Sequence, residues 1–268
     1  MAFTSTLLVG CGNMAGAMLE GWLAAGASPD SFTIVDPARE TAPGGIELLR
    51  ELPADRTFDA ILLGIKPQML GDLAPQIEPL AGPDCTVLSM LAGVELSTLR
   101  DRFPRSAAQV RVMPNLAVAL GKAPVALAQS GLDEAAQASL VEWMGALGYA
   151  EWVAEDKFDL VTALAGSGPA FVYRFIDALA NASVRLGLPE HKAQQFALAM
   201  VEGASALAAQ SEHSPGKLAD MVASKGGVTR AGLDALDEDE ALSHLITKTL
   251  RSARDRSAEM AREARDHS

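Results

Sequence analysis

The stretch TLLVGCGNMAG, residues 6–16, decides the fold class of this chain. A short apolar run ends at a glycine, and Gly10, Gly12 and Ala15 then match the pattern G-x-G-x-x-A at the start of a helical segment. In dinucleotide-binding folds these small residues allow a tight turn, let the backbone approach a pyrophosphate and pack the helix closely. An ordinary glycine turn is the alternative, but the strand–turn–helix context favours a cofactor loop. The predicted cofactor-binding residues of this loop are Gly10, Cys11, Gly12, Asn13, Met14 and Ala15.

Around this loop, apolar strand patterns alternate with helical patterns. Because nearly every residue of these strand patterns is apolar, we expect helices to cover both faces of a parallel sheet. The sequence therefore predicts an α/β N-terminal Rossmann domain over residues 1–154. The predicted strands are residues 6–10, 32–36, 60–65, 85–91, 109–113 and 123–128.

The second half of the chain has helical periodicity only. Apolar residues recur at helical spacing, as Phe171 and Phe175 do, and no strand pattern follows them. Ser214 and Pro215 are residue types favoured at the N-cap and first turn of a helix. The sequence therefore predicts an all-α C-terminal domain over residues 155–268.

Asp36 ends the second predicted strand, where an acidic residue normally accepts hydrogen bonds from the adenosine ribose hydroxyls. Its negative charge opposes a 2′-phosphate, so the predicted cofactor is NAD(P)H with a lean toward NADH. Arg39 is the alternative partner for that phosphate, and Asp36 before Pro37 also suits an ordinary turn.

Three further strand ends carry turn residues, in the segments GIKP (64–67), LAGV (91–94) and VMPN (112–115). Any one of them alone is an ordinary turn. Because ligands of open α/β sheets bind at the carboxyl ends of the strands, the three together predict the walls of a cofactor cleft. The residues predicted to contact the cofactor there are Lys66, Pro67, Ala92, Gly93 and Asn115.

Composition excludes several classes of partner. The net charge is −12 and no dense Lys/Arg cluster offsets it, so neither nucleic acid nor an anionic membrane is expected to bind. The chain has two cysteines, Cys11 and Cys85, which favours a reducing cytoplasm. No apolar run approaches the roughly 18–20 residues that span a bilayer. The four histidines are scattered, so we predict no metal site.

A second glycine-rich stretch, VASKGGVTRAGLDAL at residues 222–236, interrupts the helical half. Glycines at a helix start expose backbone N–H groups that can bind a carboxylate, whereas a simple helix–helix turn is the alternative. This stretch resembles the substrate loop of the pyrroline-5-carboxylate reductases. The resemblance extends in order and approximate spacing over nearly the whole chain, through VGCGNMAGA, GIKP, LAGV, RVMPN and ALAGSGPAFVYRFIDALANASVRLGLP.

The resemblance implies NAD(P)H-dependent reduction of 1-pyrroline-5-carboxylate to L-proline, the last step of proline biosynthesis. It also implies a helical domain that forms a homodimer, with dimers often assembled into rings. The 224–229 loop would hold the cyclic imino acid, with Thr229 as the catalytic hydrogen-bond partner of the ring nitrogen. Glu155 matches a family carboxylate near the domain junction, with a solvated linker charge as the alternative. The implied substrate-binding residues are Ser224, Gly226, Gly227, Val228, Thr229 and Glu155.

The chain departs from the family pattern at four positions. Asp36 replaces the small or basic residues often seen in family members that prefer NADPH. Lys225 and Ala117 stand where the family usually has proline, and Val228 replaces a commoner Thr or Ala. Lys225 adds a cation beside the implied carboxylate site, so a related cyclic imine is an alternative substrate. A β-hydroxyacid dehydrogenase-like enzyme is a second alternative, although no lysine for its acid–base role lies between Lys157 and Lys192. The third alternative is a cofactor-binding regulator without turnover.

Overall fold

The computed structural model describes residues 3–266 and contains an eight-stranded sheet in the order β3-β2-β1-β4-β5-β6-β7-β8. All residues of β1, β2, β4 and β5 are buried, as the continuous apolar runs predicted. The winding reverses direction between β1 and β4, which is the Rossmann arrangement and confirms the predicted fold class. The strands are β1 (Thr6–Val9), β2 (Phe32–Val35), β3 (Glu47–Leu49), β4 (Ala60–Leu63), β5 (Thr86–Ser89), β6 (Ala108–Met113), β7 (Ala123–Ser130) and β8 (Gly148–Trp152).

The sheet differs from the predicted one in three strands. β7 runs antiparallel to β6, because the 3₁₀ segment Leu116–Leu120 between them is too short for a crossover connection. β3 was not predicted, since it is a three-residue strand at the sheet edge with exposed or half-buried side chains. β8 was also missed, because its residues alternate between half-buried and exposed positions at the other edge.

The helices follow the predicted pattern with two additions. Ser214 caps its helix as predicted, since its hydroxyl accepts a hydrogen bond from the backbone N–H of Lys217. α2, which contains Pro75, and a π-helical turn at Thr162–Gly166 were not predicted. The α-helices are α1 (Asn13–Ala24), α2 (Leu70–Ile77), α3 (Leu96–Arg102), α4 (Glu134–Gly145), α5 (Phe158–Val161), α6 (Gly168–Arg185), α7 (Glu190–Gln210), α8 (Pro215–Val222), α9 (Val228–Asp237) and α10 (Ala241–Asp266).

The chain forms two compact units. The sheet unit combines Met1–Ser167 with Ser252–Ser268, and the helical unit is Gly168–Arg251. These units divide the chain differently from the predicted domains, because α5 and the π-helical turn pack against strands β6 and β7. Within the described residues, no helix is both long enough and apolar enough to cross a membrane.

The apolar core of the sheet unit lies on both faces of the sheet. One cluster packs α1 and α4 on one face, around the stacked rings of Trp22 and Trp143. The other packs α2, α3 and α5 on the opposite face, around Phe103 and Phe158. Because both faces are covered, the carboxyl ends of the strands are left as the edge at which a ligand can bind.

Candidate active site

The glycine loop (residues 10–15) makes the tight turn that its sequence predicted. Gly10 has a φ of +81°, and a β-carbon there would lie 2.9 Å from the carbonyl oxygen of Gly64. A β-carbon on Gly64 would in turn overlap the carbonyl of Gly10. The two glycines therefore let the ends of β1 and β4 approach more closely than any larger residue would allow.

Gly12 lies on the open side of the same loop. It is the N-cap residue of α1, and no side chain caps the helix start. No atom comes within 4 Å of a β-carbon built on Gly12, and both Gly12 and Asn13 are exposed. Cys11 and Ala15 are buried and Met14 is half-buried, so these three residues lie on the protein side of the turn. The uncapped start of α1 offers N–H groups and a favourable dipole to a phosphate.

Asp36 and Arg39 both contact the glycine loop. The Asp36 carboxylate accepts hydrogen bonds from the backbone N–H groups of Cys11 at 2.8 Å and Ala38 at 2.9 Å. Arg39 donates to the Cys11 carbonyl at 2.6 Å and to that of Thr41 at 2.8 Å. Carboxylate oxygens accept more than one hydrogen bond, so Asp36 retains capacity for ribose hydroxyls. Asp36 and Arg39, which the sequence predicts as opposing determinants of cofactor choice, thus both contact Cys11.

Cys11 serves as a packing residue in this loop. Burial raises the pKa of the Cys11 thiol, and the nearby Arg39 only partly opposes that effect. The thiol therefore stays protonated at neutral pH and is a poor nucleophile.

Three of the predicted strand-end residues line one cavity of about 620 Å³ within the sheet unit. Pro67 follows β4, whereas Ala92 and Gly93 follow β5. Lys66 is exposed beside them and is not part of the cavity wall. The opposite wall comes from the end of α10, through Arg256, Met260 and Glu263.

Asn115 is buried, and the nitrogen and the oxygen of its side-chain amide each make a hydrogen bond. Its amide nitrogen donates to the carbonyl of Ala165 at 2.9 Å, and its oxygen accepts from the N–H of Ala117 at 2.9 Å. Ala165 belongs to the π-helical turn, a feature often found at functional sites. The Asn115 side chain thus joins the end of β6 to this turn, and its contact with the cofactor stays a prediction.

The 224–229 loop leads from α8 into α9 in the helical unit. The N–H of Gly227 donates to the carbonyl of Ser224 at 2.9 Å, and Gly226 has a φ of +72°, as at the third position of a type II turn. Gly227 is the N-cap of the ten-residue α9, with no side-chain cap. Ser224, Lys225, Gly226, Val228 and Thr229 are exposed, and Gly227 is half-buried.

Glu155 lies elsewhere, within the sheet unit. Its Oε1 accepts hydrogen bonds from the backbone N–H of Leu96 at 2.7 Å and from Arg111 at 3.2 Å. Both partners are protein groups, and the carboxylate is about one-third exposed. In the part of the chain that the structure describes, no cluster of His, Cys, Asp and Glu could hold a metal ion.

A Rossmann sheet with an open glycine loop, followed by a helical unit, is typical of NAD(P)H-dependent oxidoreductases. Residues 155–260 match the family model of pyrroline-5-carboxylate reductase dimerisation. The chain is 33% identical to pyrroline-5-carboxylate reductase of Pisum sativum, over 94% of each chain. It is 36% identical to pyrroline-5-carboxylate reductase 2 of Bacillus subtilis, over 94% of this chain and 93% of that one.

A solved structure of a pyrroline-5-carboxylate reductase has the same fold as this chain. Pyrroline-5-carboxylate reductase from Coxiella burnetii superposes with a TM-score of 0.88 at 25% identity, over 97% of this chain and 99% of that one. The chain belongs to the pyrroline-5-carboxylate reductase family.

Proposed function

We propose that this chain reduces 1-pyrroline-5-carboxylate to L-proline with NAD(P)H, the last step of proline biosynthesis. The observation that carries the proposal is the likeness to known reductases, which extends over 94% of the chain, together with the family match over residues 155–260, which includes the 224–229 loop. Bound NAD(P)H supplies a hydride to the carbon of the C=N bond. The residues of the chain bind, orient and stabilise the reacting groups.

The glycine loop is the proposed pyrophosphate site. Gly12 and Asn13 are exposed at the uncapped start of α1, where backbone N–H groups and the helix dipole favour negative charge. Asp36 is the proposed partner of the adenosine ribose, because its carboxylate is held at the edge of this loop by Cys11. Pro67, Ala92 and Gly93 are the proposed walls of the cleft beyond it.

The 224–229 loop is the proposed site of the imino acid. Backbone N–H groups around Gly226 and Gly227 suit the substrate carboxylate, and the Ser224 hydroxyl adds a donor. The exposed Thr229 hydroxyl is the proposed hydrogen-bond partner of the ring nitrogen, whose basicity rises as hydride reaches the adjacent carbon. Lys225 adds a cation beside the carboxylate.

We further propose that NADH is the preferred cofactor. Asp36 is half-buried beside the glycine loop, so a 2′-phosphate would meet its charge at short range. Arg39 favours the opposite preference, but its guanidinium already donates to the carbonyls of Cys11 and Thr41. Because these two hydrogen bonds hold the Arg39 guanidinium against the protein backbone, they support the NADH proposal.

We propose a homodimer as the functional unit. Large apolar side chains of the helical unit are exposed in the single chain, and a second copy would cover them. They include Tyr173, Phe175, Phe196, Met200 and Leu207. Light scattering of the purified protein distinguishes a dimer from a ring of dimers.

The two cysteines are buried, unpaired thiols, which supports the proposed cytoplasmic location.

The test of the proposed function is a turnover assay with pyrroline-5-carboxylate, followed through the oxidation of NADH and of NADPH. We expect turnover with both, and a higher kcat/KM for NADH. Binding of NADH without turnover would instead support a cofactor-binding regulator. Turnover of a 3-hydroxyacid but not of the imine would support a β-hydroxyacid dehydrogenase-like enzyme.

A further inference from the structure

Arg111 is a charged residue inside the core of the sheet unit. It lies on β6 with only 5% of its surface exposed, and its guanidinium lies over the Phe158 ring, 4.1 Å from the centroid. Burial lowers the pKa of Arg111, and the neighbouring Glu155 carboxylate opposes that shift. A charge this deep is tolerated only when it is paired, so the role of Arg111 depends on what Glu155 does.

Glu155 uses one oxygen for two bonds. Its Oε1 accepts from the Arg111 guanidinium at 3.2 Å and from the backbone N–H of Leu96 at 2.7 Å. Leu96 is the first residue of α3, whose N-cap residue makes no side-chain capping bond. Glu155 therefore caps α3 from a distant part of the chain, while Arg111 fixes the position of the carboxylate.

The start of α3 is also the end of the loop that contains Ala92 and Gly93. Both residues line the cavity at the ends of β4 and β5. Val94 is buried, and a β-carbon on Gly93 would lie 3.1 Å from the backbone of Ala261. Since the loop is enclosed on that side, a displacement of Leu96 would be transmitted to the cavity wall.

We propose that Arg111 and Glu155 are positioning residues for the cofactor. Together they hold the start of α3 and thereby set the 91–95 loop against bound NAD(P)H. This inference rests on the proposed function, and it gives Glu155 a different role from the substrate contact that the family resemblance implies. Small displacements of such a wall have large effects, because a productive geometry tolerates only errors well below 1 Å.

The test measures NADH binding by fluorescence titration, and the KM for pyrroline-5-carboxylate at saturating NADH. Glu155→Ala should weaken NADH binding about tenfold, the effect of losing a hydrogen bond to a charged group. Glu155→Gln should stay within about threefold of the wild type, because its carbonyl still accepts from Leu96. The imine KM should stay within about twofold in both variants.

Glu155→Asp covers the case in which the alanine variant does not fold. It keeps a counter-charge for Arg111 but retracts the carboxylate from Leu96 by one methylene, so NADH binding should again weaken. Asp156→Asn is the matched control, because Asp156 pairs with Lys157 rather than with α3, and it should bind NADH normally.

Normal NADH binding by Glu155→Asp would overturn the inference. So would a higher imine KM in Glu155→Gln with unchanged NADH binding, which would make Glu155 a substrate contact. NADH is titrated without imine, so a wild type that binds NADH but does not reduce the imine would refute the proposed reaction alone.

Discussion

The sheet unit and the helical unit bury their apolar residues to very different extents. In the sheet unit, Trp22, Phe103 and Phe158 are among the side chains less than 2% exposed. The buried cluster of the helical unit consists of three alanines, whereas Phe196 is 67% exposed. The first unit completes a core within one chain, and the second leaves an apolar surface exposed, which the proposed second copy would cover. The proposed cofactor loop therefore belongs to a unit with a complete apolar core, whereas the proposed substrate loop belongs to a unit whose large apolar side chains are exposed in the single chain.

The clearest contrast between the two units comes from removing one phenylalanine from each. Phe103→Ala should lower the free energy of unfolding by about 3–5 kcal/mol, the usual loss for a buried aromatic, without changing the oligomeric state. Phe196→Ala should instead weaken dimer association by about tenfold or more. Urea unfolding and light scattering over a dilution series measure the two effects. A dimer equally stable in Phe196→Ala would show that the exposed face is not the interface.

Gly12→Asp should abolish cofactor binding while leaving the fold intact. No atom lies within 4 Å of a β-carbon at Gly12, so the side chain fits, but its charge would face the pyrophosphate. Like charges at this range should weaken NADH binding by about 10²-fold or more. Gly145→Asp, an equally open helical glycine, is the control and should bind NADH normally. Tight NADH binding by Gly12→Asp would place the pyrophosphate elsewhere.

Asp36→Ser should shift the ratio of kcat/KM for NADPH over NADH upward by about tenfold, because it removes a charge close to the 2′ position. Steady-state kinetics with both cofactors give the ratio. Glu40→Ser removes a nearby exposed charge and should leave the ratio unchanged. The NADH proposal fails if the wild type already prefers NADPH more than tenfold.

Lys225→Pro should have the smallest effect, an increase of about threefold in the imine KM, as expected for an exposed charge. Proline suits the position, because Lys225 is the second residue of a turn whose third residue, Gly226, has φ +72°. Lys225→Gln removes the same charge without changing the backbone, and it should raise the imine KM by about the same factor as Lys225→Pro. An unchanged KM in both variants would make Lys225 an ordinary surface charge.

The predictable parts of the molecule are those recorded in local sequence. Buried strands leave continuous apolar runs, and the glycine loop, the Asp36 position and the Ser214 cap each depend on a few adjacent residues. The edge strands β3 and β8 escaped prediction because they lack such runs. The Arg111–Glu155 pair escaped because its members are 44 residues apart, and the engagement of Asn115 with Ala165 is equally non-local.

Thr229 provides the most direct test of the central claim, that the 224–229 loop binds the imine and that the Thr229 hydroxyl assists reaction at its ring nitrogen. The measurement is kcat with pyrroline-5-carboxylate for Thr229→Ala, with NADH binding titrated in parallel and Thr229→Ser as the control. We predict that kcat falls by about 10²–10⁴-fold in the alanine variant, that the serine variant keeps most of its activity, and that both bind NADH normally. A kcat for Thr229→Ala within about threefold of the wild type would contradict the account, because solvent would then protonate the ring nitrogen unaided.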